Sequence, residues 1–100
     1  MSAQQILSGA AAIINAESKW TTKAIARKAD GTPCGPLSTF AVRWDIYGAM
    51  RKAHADLNLP LSDLHAAMDI LREKFVTRNK DVDYFNDRNT YAACITLLTT

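Results

Sequence analysis

The sequence predicts a mostly α-helical chain, a compact four-helix domain with a short β-hairpin between helices one and two. Three observations lead there. Apolar residues recur at helical spacing, most cleanly at Leu64, Met68, Leu71 and Phe75. The stretch from Trp20 to Trp44 interrupts that spacing and holds Asp30-Gly31, a dipeptide that favours tight hairpin turns because both residues tolerate positive φ. Asn58-Leu-Pro60 then breaks a second helical run, since proline lacks the N–H a helix needs.

Taken in order, Ser2 with Gln5 three residues later makes a capping box, and helix one is expected to reach about Ala16. Ile6, Ala10, Ile13 and Glu17 share one line of it, with Leu7 and Ile14 beside them. The small residues Gly9 to Ala12 leave room for a second helix. Lys23 to Lys28 and Thr32 to Cys34 are the expected hairpin strands, with an irregular loop as the alternative. Pro33 keeps the return strand short or at an edge.

Ser38 is the expected N-cap of helix two, which runs to about Leu57. Val42, Ile46, Ala49, Met50, Ala53 and Leu57 form its apolar face, and Phe40, Trp44 and Tyr47 a second sector. A helix apolar on two sides belongs in the centre. Gly48 weakens such a helix and therefore marks a close contact. Ser62 is expected to cap helix three, with Asp63 in its first turn. Thr77 to Asp83 reads as a connection, and Asp83 to Arg88 leads into a last helix from about Asn89 to Leu98.

One hundred residues make a single domain, 1–100, with a core that needs no staples. The net charge of +2 carries no strong basic signal. No apolar run is long enough to span a bilayer, so no membrane partner is expected. Gly9 to Ile14 looks like a signal-peptide core but lacks a preceding Lys or Arg. Cys34 and Cys94 stand far apart with no metal-type spacing, as expected of reduced thiols in a cytoplasmic protein. Every charged residue lies between Glu17 and Arg88, which leaves both terminal helices charge-free. Such helices pack on each other, on helix two, or across a homodimer interface.

Chemistry is sparse. His54 and His65 lack converging partners, and a structural or solvent role is expected for each. Asp81-x-Asp83 starts like a calcium loop but lacks the glycine and glutamate that should follow. There is no phosphate loop, nucleophile elbow or zinc-protease motif. No catalytic residue, metal or cofactor is assigned. Lys19, Lys23, Arg27 and Lys28 put positive charge on the hairpin's first half, and a basic ribbon can lie in a DNA groove. Asn86-Asp87 reads as a cap or turn before the last helix, with the alternative that Asp87 pairs with Arg43 beside Trp44 to line a pocket.

Trp20-Thr21, Ala29-Asp30-Gly31-Thr32-Pro33, Pro36, Ala41-Val42-Arg43-Trp44, Gly48-Ala49 and Phe85-Asn86-Asp87 together resemble a family of small bacterial and phage proteins known as domain of unknown function 6197. The resemblance covers nearly the whole chain and implies the fold without implying an activity. Relatives in that family often carry cysteine after the second tryptophan. Here the position is Asp45, read as semi-exposed.

The function expected is a non-enzymatic protein-interaction module, an accessory and defence-related factor of a bacterium or its phage that self-associates. A small DNA-binding regulator using the basic hairpin is one alternative. A small hydrolase or ligand-binding protein is the other, its site at Trp20, Asp30, Arg43, Trp44, Asn86 and Asp87.

Overall fold

The computed structural model describes residues 2–74 and 82–99. Helix α1 spans Ser2–Ile13 and leads through a 3-10 turn at Glu17–Lys19 into two short strands, β1 at Ala26–Lys28 and β2 at Ala41–Trp44. Helices α2 (Ile46–Leu57), α3 (Leu61–Glu73), α4 (Val82–Arg88) and α5 (Tyr91–Thr99) follow. The chain is mostly helical, as expected, but with five helices among the described residues where four were expected.

The strands pair antiparallel, Ala26 with Trp44, Arg27 with Arg43 and Lys28 with Ala41, with a register shift after Arg27. This corrects the expected hairpin. Asp30-Gly31 does reverse the chain: Gly31 has φ 90° and its N–H donates to Lys28 O. The expected return strand, Thr32 to Cys34, makes only a single bridge, Arg27 to Pro33. Proline cannot donate to a ladder, so pairing there stays local. The true partner of β1 is Ala41–Trp44, expected to open helix two. Ser38 accordingly caps no helix. Its hydroxyl accepts from the Phe40 N–H at 3.1 Å, closing a turn before β2. The helix begins at Ile46, capped by Asp45.

Three other boundaries move. Helix α3 starts at Leu61 with Pro60 as N-cap, so Ser62 is inside its first turn. Asn86 and Asp87 lie within α4 rather than ahead of a helix. Before α5 the cap is Thr90, whose hydroxyl accepts from the Ala93 N–H at 3.1 Å. Phe75 lies outside the described residues, as do residues 77–81 of the expected connection. The α2–α3 break is as expected: Asn58 takes a left-handed conformation, φ 54°, and its N–H satisfies the last carbonyls of α2.

The core is Ile6, Leu7, Ala10 and Ile14 against Ile46, Ala49 and Met50, with Leu64, Leu71, Cys94 and Leu98 closing it. Helix α1 packs on α2, α3 and α5. The charge-free ends therefore bury much of their apolar surface within one chain. Gly9 serves the close approach to α2, since a Cβ there would stand 3.0 Å from Ala53 Cβ. Among the described residues no helix is long and apolar enough to cross a membrane.

Candidate functional site

Helix α4 buries one short face, Val82 and, a turn later, Asn86. Asn86 is fully buried, so its amide must find partners inside the protein. Its Oδ1 accepts from Trp20 Nε1 at 2.8 Å and from the Ile46 N–H at 3.1 Å. Its Nδ2 donates to Thr21 O at 3.0 Å and to Asp87 Oδ1 at 3.1 Å. Both N–H bonds and both strong acceptor positions are used. The Cys94 thiol adds a weak contact at 3.9 Å. One side chain thus joins the segment after α1, the N-terminus of α2, α4 and α5.

The neighbours are arranged around it. Trp20 bridges to Trp44, and the Thr21 N–H donates to Trp44 O at 3.1 Å. Trp44 is buried, with Nε1 donating to Pro36 O at 2.9 Å. Trp20 also stacks at a tilt on Tyr91, centroids 5.9 Å apart. Asp87 Oδ1 accepts from the Lys23 N–H at 2.8 Å, which holds Lys23 at a left-handed φ of 62°. Of the six residues assigned to a ligand site in the alternative reading, Trp20, Trp44, Asn86 and Asp87 meet. Asp30 and Arg43 do not. Asp30 sits exposed at the hairpin turn, where its carboxylate accepts from the Thr32 N–H at 2.9 Å. That hydrogen bond, foremost, holds the Asp30 carboxyl below its ordinary range. Arg43 is exposed on β2 opposite Arg27, and Asp87 bonds the Lys23 backbone, so the alternative pair of Asp87 with Arg43 is not formed.

The residue that sequence reasoning missed is Asp45. Expected semi-exposed, it is only 4% exposed. Its Oδ1 accepts from the Gly48 N–H at 2.6 Å, satisfying the first turn of α2. The spacing of Asp45 to Gly48 was the available signal, obscured by placing the cap at Ser38. Asp45 forms part of a cleft of about 350 Å³ with Lys23, Ile25, Tyr47, Asp83 and Asp87. A second recess of about 310 Å³, lined by Lys23, Tyr84, Asp87 and Arg88, shares the Lys23–Asp87 wall.

Burial pushes the Asp45 carboxyl up to about 7; the Gly48 N–H opposes this, and Asp83 and Asp87 add to the rise. Burial likewise pushes the Cys94 thiol up to about 12, with Asp45 and Asp87 contributing, which favours the neutral thiol. Folding raises the Asp45 carboxyl from its ordinary 3.8, so the folded state holds this proton more tightly than the unfolded state does. The associated stability is complete below about pH 4 and is lost as pH rises through about 7. Asp45→Asn keeps an acceptor for Gly48 and removes the charge. Relative to the wild type, this variant is expected to gain stability between pH 5 and pH 8, by roughly 1.4 kcal/mol for each pH unit of displacement at most. Urea unfolding at the two pH values checks this. Parallel pH profiles for the two proteins would contradict it.

The basic residues are divided too. Arg27 is occupied inside the hairpin: Nε donates to Thr21 Oγ1 at 2.9 Å, Nη1 to Gly31 O at 2.8 Å and Nη2 to Thr22 O at 3.1 Å. Its guanidinium braces the loop. Lys19, Lys23 and Lys28 are exposed. His54 Nε2 lies 3.2 Å from Pro60 O across the α2–α3 turn. Among the described residues no group of three or more His, Cys, Asp or Glu is placed to hold a metal ion, and both cysteines are free. The junction around Asn86 joins four segments of the chain, and its polar atoms are spent on that task.

None of the curated proteins and none of the solved structures compared with the chain matches it. A family model does match, over residues 1–100, and it covers the paired tryptophans, the Asp45 cap and the Asn86 junction alike. The chain therefore belongs to the family of unknown function DUF6197.

Proposed function

We propose that the protein is a non-enzymatic interaction module that engages a protein partner through the loop before β2 and β2 itself. The observation that carries this reading is the exposure of Leu37, Phe40 and Val42 within six consecutive residues, Phe40 being 70% exposed. Clustered apolar side chains left in water mark interaction surfaces more than scattered ones do. The loop that bears them is braced. Ser38 N donates to Gly35 O, Ala41 N donates to Ser38 O, and buried Trp44 holds Pro36 O. A braced loop loses little conformational entropy on binding. Lys28 and Arg43 stand exposed in the adjoining strands, which favours a partner surface that mixes apolar and acidic residues. Such a module would suit an accessory factor of a bacterium or its phage.

The double substitution Leu37→Ser and Phe40→Ser tests the reading. Both side chains are exposed, so the urea midpoint is expected to stay within about 0.5 kcal/mol of the wild type. Proteins retained from host lysate by the wild-type chain are expected to be lost by the variant. Light scattering on both proteins shows whether the retained partner is a second copy. Retention of the same proteins by both chains would remove the hairpin as the binding surface.

A further inference from the structure

The groove between α2 and α3 has features unrelated to the exposed hairpin. On α3, Leu61, His65, Met68 and Arg72 follow one another at steps of four, three and four, which puts them on one face. On α2, Tyr47 and Arg51 are one turn apart. Where these faces meet they form a half-open groove of about 670 Å³. That volume falls within the roughly 300–1,000 Å³ of pockets that hold small molecules.

Its lining is sorted by chemistry. Leu64 and Met68, nearly buried, supply an apolar surface, and Leu61 continues it at 59% exposure. The remaining lining brings two guanidiniums, Arg51 and Arg72, with His65 and Asp69. Arg51 stands 6.0 Å from the centre of the Tyr47 ring and has no carboxylate partner among the described residues. Arg72 is held by Asp69 at 3.3 Å, with both side chains largely in water. An exposed pair of this kind is weak, so an incoming anion can displace Asp69. Two arginines against one aspartate leave the groove cationic. The guanidinium fork matches the paired oxygens of a carboxylate or phosphate.

We propose that this groove binds a small amphiphilic anion, a carboxylate or phosphate head on an apolar body. The head would lie between Arg51 and Arg72, with His65 able to add a hydrogen bond, and the body against Leu61, Leu64 and Met68. This proposal is independent of the hairpin reading, because none of these residues belongs to the exposed loop or β2.

Titration of the isotope-labelled full chain with 2-naphthoate and with 2-naphthyl phosphate, followed by amide chemical shifts, tests it. Saturable shifts are expected in residues 47–51 and 61–72 for at least one of the two probes. Neutral 2-naphthol is expected to bind at least about tenfold more weakly, since a hydrogen bond to a charged group contributes more than a neutral one. The Arg51→Gln/Arg72→Gln variant is expected to lose a similar factor while its remaining spectrum stays dispersed. If that variant does not fold, the comparison with 2-naphthol on the wild type decides. Absence of saturable shifts in the groove, shifts confined to the hairpin, or equal binding of 2-naphthol would each overturn the proposal.

Discussion

Replacing Asn86 with leucine is expected to cost about 4–6 kcal/mol, a large share of the stability of a domain of this size. The side chains are similar in volume, so the loss comes from hydrogen bonding. The indole N–H of Trp20, the N–H of Ile46 and the carbonyl of Thr21 all lose their partner at once. Each orphaned buried group costs about 1–3 kcal/mol, against a total stability of about 5–15 kcal/mol for a domain of this size. Asn89→Ala is the control. Asn89 is exposed and, among the described residues, donates only to Phe85 O, so a loss under about 1 kcal/mol is expected. Urea unfolding followed by the fluorescence of Trp20 and Trp44 measures both. An Asn86→Leu protein that folds with stability within about 1 kcal/mol of the wild type would show that Asn86 is not the structural junction described above.

Gly48→Ala is the second large effect, and its sign opposes helix propensity. In an isolated helix this change stabilises by about 1 kcal/mol. Here a Cβ would run into the Ile25 carbonyl oxygen and come within 3.1 Å of Asp45 Oδ1. The Ile25 carbonyl cannot swing aside cheaply, because it accepts from the Asp45 N–H at 3.2 Å. The clash therefore pushes α2 away from the segment leading into β1 and disturbs the cap that starts the helix. A net loss of about 3 kcal/mol is expected. Gly35→Ala has open space for its Cβ and serves as the reference, expected within about 0.5 kcal/mol of the wild type. A stabilised Gly48→Ala protein would mean that the approach of Ile25 to α2 is looser than described.

Gly48 also shows how much could be read in advance. A glycine inside an apolar helical run has a local cost, and that cost pointed correctly to a close contact without saying with what. The α2–α3 break was legible for the same reason, since Asn58 and Pro60 act on their own backbone. The Asp30-Gly31 reversal was legible as a turn. Its consequence was not, because Ala41-Val-Arg-Trp44 is acceptable both as a helix start and as a strand. The antiparallel partner Ala26–Lys28 decides between them, and it lies more than ten residues away. Once those four residues are a strand, the cap moves from Ser38 to Asp45 and Phe40 is left in solvent.

The candidate site divides along the same line. Trp20, Trp44, Asn86 and Asp87 were picked out as residues, and the fold brings them together. Asp30 and Arg43 were picked out beside them and lie elsewhere, each held by the local geometry of the hairpin. Helical periodicity, turn chemistry and the breaks between helices depend on neighbours a few residues apart, and a chain carries that information openly. The burial of Asp45, the junction at Asn86 and the occupation of Arg27 depend on contacts between distant segments. A buried polar group is tolerated only where its partners converge, and that convergence arises when the core closes.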